Sequence, residues 1–305
     1  MRIALMLLLS LFPCLFWAEG PGRGSHEEGI SIRMQRRVAS RAGDSASMVV
    51  TEVQEWNPHE TAIIICDMWD QHWCRGATSR VAELAPSLNR VISVARQKGM
   101  LIVHAPSDCM PYYKDWAGRK LALRYDSKKY AHLISDSNLP TEKGAVWPID
   151  QSDGGCDDAV RCQEGSPWRK EIDALEIKDG DGISDSGAEI AALFDQKGIK
   201  NVILTGVHTN MCVIGRTFGL RNMVRLGKNV VLMRDMTDAM YNSRRAPYVN
   251  HIAGRDLVIS YIERYVCPTM LSTDIVGGKP FRFSSDPGRT VAVAAAVVVV
   301  RPGRF

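Results

Sequence analysis

The chain has 305 residues, 45% of them apolar and 24% charged, enough material for one large globular domain or two small ones with a full core. Its formal charge of +4 is mild, and Lys and Arg are spread along the chain, neither gathered into runs nor interleaved with aromatics. This pattern excludes an electrostatic footprint for nucleic acid, and no nucleic-acid partner is expected.

In chain order, residues 1–18 carry one positive charge at Arg2, an apolar run from Ile3 to Phe16, and the small Ala18 before Glu19. They read as a secretory signal peptide, which predicts an extracytoplasmic protein, periplasmic or secreted. The stretch is short for a membrane span and leads into polar sequence, so no span is expected after its removal. Cys14 would leave with it. The cysteines left, at 66, 74, 109, 156, 162, 212 and 267, are odd in number, so at least one thiol stays free or pairs between chains. Cys156 and Cys162, in the loop DGGCDDAVRC, could bridge locally. There is no Cys-x-x-Cys pair, and a zinc ribbon is unsupported.

A polar lead spans 19–60. Thr61 to Cys66 (TAIIIC) then reads as a short strand buried on both faces, ending at Asp67. Helical spacing follows from Pro86, placed as a first-turn residue, to a stop at Gly99, and MLIVHA at 100–105 is the next strand. Residues 106–170 are irregular, with Trp116, Trp147 and Trp168, and read as an insertion that caps something, because its aromatics would be wasted in solvent. Regular alternation then resumes. Ser186 and Glu189 fit a capping box for a helix that stops at Gly198; Asn201 to Leu204 is a strand, Val213 to Leu226 a helix, Asn229 to Met233 a strand, and Ile252 to Tyr265 a helix. Strands alternating with helices predict a doubly wound, mostly parallel α/β sheet with helices on both faces, a single domain over 61–275. In the tail, 276–305, the apolar run Val291 to Val300 is too short to span a bilayer and reads as an added strand or a disordered end.

Reactive groups in such a sheet gather past the carboxyl ends of the strands. Asp67 directly follows the first strand of the domain. Cys212 follows another through the turn GVHTNM, where a new helical pattern begins, and a helix N-terminus would lower its pKa and favour the thiolate. Lys178, in EIKDGDGISD, should also lie at the sheet edge. Each has a plain alternative: a buried structural cysteine, an aspartate that caps a helix, a solvated lysine.

Together, CDMWD at the end of an apolar strand, a lysine twenty residues before Gly198-Ile199, and VILTGVHTNMCV resemble the isochorismatase-like cysteine hydrolase family, which includes nicotinamidases and related amidases. The resemblance covers roughly 60–275. It implies Cys212 as nucleophile, Asp67 as general base and acid, and Lys178 as the group that orients Asp67 and favours the thiolate. It also implies a non-proline cis peptide at Val207 and His208, with backbone N–H groups near His208 and Cys212 binding one oxyanion. Family members that cleave the vinyl ether of isochorismate lack this cysteine, so hydrolysis of a small amide or related C–N bond is expected. An ether or ester hydrolase of the same fold, or a silent binding scaffold, remains the alternative.

The chain departs from the family where the pocket is expected. Trp69 and His72 stand where Gln and Phe are common, and HAPSD replaces the Asp-x-His metal motif of nicotinamidases. Asp70 and His72 have the right letters in the wrong place, so neither metal nor cofactor is expected. Trp69, His72, Trp73, Tyr112 and Arg216 are candidate substrate-binding residues, with Tyr113 beside them; Arg216, on the same helix as Arg221, would meet an anionic group, the alternative being a solvated or interface role. The expected partner is a small-molecule substrate, and the resemblance implies a homo-oligomer.

Overall fold

The computed structural model describes residues 29–39 and 47–288. The expected signal peptide, Cys14 and the Val291–Val300 run lie outside them. Among the described residues, eight strands form one sheet: β1 (Ile30–Ala39), β2 (Ser47–Trp56), β3 (Thr61–Cys66), β4 (Leu101–Ala105), β5 (Gly182–Ile183), β6 (Asn201–Val207), β7 (Asn229–Asp238) and β8 (Thr269–Met270). The helices are α1 (Arg75–Gln97), α2 (Met110–Tyr113), α3 (Ala117–Ala122), α4 (Gly187–Lys197), α5 (Leu220–Arg225), α6 (His251–Tyr265) and α7 (Thr273–Val276). The spatial order is β2-β1-β8-β7-β6-β3-β4-β5. The pairs from β5 across to β8 are parallel; β1 meets β2 and β8 antiparallel.

All six residues of β3 are buried, because both faces of the sheet are covered. Ile63 and Ile65 face one layer with Leu84, Leu88 and Ile92 of α1. Ala62 and Ile64 face the other, with Ile190, Leu193 and Phe194 of α4 and Val258, Ile259 and Ile262 of α6. Period-two side chains on a strand thus feed two separate cores.

Three expectations are corrected. The polar lead contains a hairpin: Ile30, Ile32 and Met34 alternate inward while Ser31 and Arg33 face out, and the buried Glu263 of α6 accepts from Gln35 Nε2 (2.7 Å) and Arg37 Nε (2.9 Å). Helix α1 begins at Arg75, so Pro86 lies inside it. The interior proline costs about 3 kcal/mol. Burial of Ala77, Val81, Leu84, Leu88 and Ile92 outweighs it at about 1.5–3 kcal/mol for each large side chain. Finally, the helix expected over Val213–Leu226 is broken. Gly187, at the start of α4, donates its N–H to Thr217 Oγ1 (2.9 Å) and lies so close that a Cβ would sit 2.1 Å from the Thr217 carbonyl oxygen. The chain bends there and restarts as α5.

The insertion folds over the sheet. Its helix α3 packs on β5 near Gly118; Glu142 forms a buried ion pair with Arg221 (2.7 Å) and accepts from Tyr261 Oη (3.0 Å), so Arg221 is a structural residue. Its last residues run back beside the chain after β3, where Asp70 N–H donates to the Lys170 carbonyl (2.9 Å) and Ile172 N–H to that of Met68 (2.8 Å).

Candidate active site

From β3 the chain crosses to β4 and β5 on one side, whereas β6, the other neighbour of β3, leads to β7 on the opposite side. The strand order reverses between β3 and β6, and an open α/β sheet leaves a crevice there. Asp67 ends β3, and Cys212 follows β6. Ser107 follows β4 and donates its N–H to Asp67 Oδ1 at 2.7 Å. Asp67 adopts a left-handed φ of 48° and its N–H bonds the Ala105 carbonyl (3.2 Å), a conformation that aspartate tolerates better than most residues.

The turn before Cys212 is tied down by the side chains its sequence supplies. Gly206 has φ 95°, and a Cβ there would lie 2.1 Å from the Cys66 carbonyl oxygen, so only glycine lets β6 pass β3 at this point. The Val207–His208 peptide bond is cis. Thr209 Oγ1 bonds Thr237 Oγ1 (2.7 Å) and the Asp238 carbonyl (2.9 Å). Asn210 Nδ2 donates to the Met240 carbonyl (2.9 Å) and its Oδ1 accepts the Met240 N–H (2.8 Å). Val213 N–H reaches back five residues to the His208 carbonyl (3.2 Å), making one wide helical turn with Cys212 on it.

Two corrections follow at the reactive centre. The thiol is not acidified. Burial and the Asp67 charge push Cys212 well above the usual thiol range, against the pull of Arg216, and no regular α-helix starts there to offset them. Burial also raises Asp67 to about 6, opposed by the Arg216 guanidinium, the Cys212 thiol and Ser107. Near neutral pH the carboxyl is therefore the charged partner and the sulfur keeps its proton. The cation differs as well. Lys178 has its side chain 56% exposed and pairs with Glu176 (2.8 Å), while its own N–H donates to Asp181 Oδ2 (2.7 Å), a carboxylate turned toward Arg96 and His104. Arg216, where the broken helix bends, puts Nε 3.7 Å from Asp67 Oδ2 and Nη2 3.9 Å from Asp108 Oδ2.

An aromatic wall stands beside this pair. Trp168, from the end of the insertion, stacks on Trp69 at 4.2 Å between centroids and 9° between planes. His72 stacks on Trp168 at 5.8 Å and meets His208 edge-on at 5.0 Å. Its Nδ1 accepts the Cys74 N–H (3.1 Å), and burial with Arg80 nearby lowers it to about 4, so the ring is neutral. Burial lowers His208 too. Trp73 lines an open cleft of about 440 Å³ with Gln71, His72, Arg75 and Gln163 to Pro167, next to the wall; neither Asp67 nor Cys212 lines it. Tyr112 is half-exposed, and Tyr113 is buried with its hydroxyl accepting the Glu171 N–H (2.8 Å). Asp70 Oδ1 accepts the Arg169 N–H (3.1 Å), so this carboxylate holds the end of the insertion.

Buried polar atoms without a hydrogen-bond partner mark where a ligand would bond: Ser107 Oγ, Trp168 Nε1, His208 Nε2, and the ion-paired but not hydrogen-bonded Asp67 Oδ2 and Arg216 Nε. Sequence reasoning missed Ser107 and Trp168 as site residues. Only the unexplained aromatics of the insertion pointed to Trp168. Below the wall, His104 lies between Glu171 (2.6 Å) and Asp181 (3.3 Å), which raise it to about 9 despite its burial.

No family profile and no curated protein matches the chain. Among solved structures it is similar to a cysteine hydrolase from Pseudomonas syringae pv. phaseolicola 1448A, 15% identical over 72% of this chain and 92% of that one, with a TM-score of 0.45. It is likewise similar to the pyrazinamidase of Pyrococcus horikoshii in complex with zinc, at 17% identity, 70% and 99% coverage and TM-score 0.40. A third is N-carbamoylsarcosine amidase from Thermoplasma acidophilum, at 12%, 70%, 96% and 0.38.

Proposed function

We propose that this protein is an isochorismatase-like cysteine hydrolase that cleaves a small amide or related C–N bond through a Cys212 thioester. One observation carries the reading: a buried carboxylate and a half-buried thiol, on residues 145 apart in sequence, meet at the sheet's switch point with a guanidinium beside them. A structural cysteine needs neither neighbour.

In the mechanism we infer, Asp67 takes the thiol proton as sulfur attacks the carbonyl carbon. Arg216 opposes the negative charge that passes from carboxylate to sulfur, the role that the resemblance gave to Lys178. Backbone N–H groups of the 208–212 turn face the oxyanion. Asp67 then returns its proton to the departing amine as the C–N bond breaks, and water, deprotonated by the same carboxylate, cleaves the thioester and restores the thiol. Trp69, Trp168 and His72 would hold the flat, neutral part of the substrate. Residues 1–18 support export, and a homo-oligomer belongs to the same proposal; among the described residues no helix is long and apolar enough to cross a membrane.

Ammonia release from a panel of primary amides tests the reading. Turnover of at least one, lost in Cys212→Ala, is expected. Turnover of esters or vinyl ethers alone would replace it with the ether or ester hydrolase.

A further inference from the structure

Next to His72, whose Nδ1 accepts the Cys74 N–H (3.1 Å), three cysteines converge on one carboxylate oxygen. Cys74 Sγ and Cys156 Sγ each lie 3.5 Å from Asp158 Oδ2, and Cys162 Sγ lies 3.0 Å from it. The ligand atoms of Cys74, Cys156 and Asp158 are all within 4.8 Å of one another. None of the three cysteines is in a disulfide, and Cys74, Cys156 and Asp158 take no part in the reaction proposed above. We propose that Cys74, Cys156, Cys162 and Asp158 form a structural site for a thiophilic divalent cation, with zinc as the fitting ion.

The geometry carries this. A tetrahedral zinc ion has Zn–S near 2.3 Å and Zn–O near 2.0 Å, so each sulfur should stand about 3.5 Å from the carboxylate oxygen. Three sulfurs at 3.0–3.5 Å from the same oxygen match the sulfur–oxygen edges at one vertex of that tetrahedron; Cys74, Cys156 and Asp158 already form a mutual set, and Cys162 would close in to complete it on binding. A disulfide explains the cluster less well. Three sulfurs cannot all pair, and a cystine offers no donor to the carboxylate they surround. Binding would release three thiol protons to solvent and leave a net charge of minus two on the assembled centre.

The surroundings supply counter-charge. Arg80, half-buried, is shared between Asp238 (2.6 Å) and Asp157 (3.2 Å) and keeps Nη2 without a hydrogen-bond partner. Arg244 Nη2 donates to the Asp158 carbonyl (2.9 Å), and Arg75 Nη2 to that of Val160 (3.5 Å). Asp158 Oδ2 also accepts the Gly76 N–H (3.2 Å) at the first turn of α1. The cation would thus fasten the 154–162 loop to the start of α1, where Trp73 and Arg75 lead into the 440 Å³ cleft. Its role is to hold that wall, since the cluster lies outside the Asp67–Cys212 pair.

The test uses the full mature chain, purified without added chelator, with bound metal measured by elemental analysis and intact mass measured in parallel. The expected result is about one equivalent of zinc per chain. Cobalt added to the chelated protein should give the intense visible bands and thiolate charge-transfer absorption of a tetrahedral thiolate site. Cys156→Ser and Asp158→Asn should each weaken cobalt binding at least about tenfold, and zinc should raise the unfolding temperature of the chelated wild type only. Three results would overturn the proposal: no retained metal and no cobalt spectrum, unchanged binding in both variants, or a mass lowered by two hydrogens with two of these sulfurs joined. Each reads out apart from hydrolysis, so inactivity toward amides would leave the result unaffected.

Discussion

Asp67 bears a charge where burial disfavours one, and the sign of that cost can be followed with pH. The unfolded carboxyl ionises near 3.8 and the folded one near 6, so the folded state binds more protons between those values. Stability then falls as pH rises from about 4 to about 6, by up to about 3 kcal/mol for a shift of this size. Asp67→Asn keeps an acceptor for the Ser107 N–H and tolerates the left-handed backbone. It should be inactive yet unfold at a higher temperature than wild type at pH 7.5, with the gain gone by pH 4, in thermal scans at both pH values. For the reaction, kcat/KM should fall on the acid side with a midpoint near 6. The two cations separate in the same assay. Arg216→Gln should lower kcat/KM by about 10²-fold, the scale of a lost transition-state contact, whereas Lys178→Ala should change it less than about twofold. From the sequence, Cys212 and Asp67 were legible because a strand end followed by a reactive side chain is a local pattern. The substitution of arginine for lysine was not legible: it depends on the break at Thr217, which Gly187 imposes from another helix.

At the scale of elements, the turn from Gly206 to Val213 is the part that its neighbours fix most tightly. Gly206→Ala would place a methyl group against the Cys66 carbonyl and force a positive φ on alanine. It should cost about 2–4 kcal/mol in chemical denaturation. In addition it should lower kcat, since β6 carries His208 and Cys212 into place. The all-apolar strands β3, β4 and β6 were legible because burial on both faces leaves no polar position. The hairpin was not, since the outward positions of β1 hold Ser31, Arg33 and Arg36 and the alternation reads as polar sequence. The insertion was read as a cap without its target; Trp168 reaches Trp69 only because 170–172 pairs with the backbone of 68–70. That pairing leaves no local signal in either segment.

For the whole molecule, two ion-paired histidines set the alkaline limit. His104, between Glu171 and Asp181, and His251, between Asp238 (2.9 Å) and Asp157 (3.1 Å), are both raised to about 9 by these carboxylates. A raised folded pKa contributes stability that is complete below the unfolded value of 6.5 and is lost as pH rises through 9. Thermal stability should therefore fall steadily from about pH 6.5 to pH 9, in the same sense as the Asp67 effect at lower pH, and a profile flat over that range would contradict the two ion-paired clusters. The sheet order was legible only as alternation. That its reversal falls between β3 and β6, so that Asp67 and Cys212 share one crevice, is a property of the pairing. On that coincidence the functional account rests. Its most direct measurement is the intact mass of enzyme quenched in acid during turnover of an active primary amide. The account predicts an acyl adduct on Cys212 that is lost with time and never forms in Cys212→Ala. Normal turnover with Cys212 left unmodified, or turnover that survives the Cys212→Ala substitution, would contradict it.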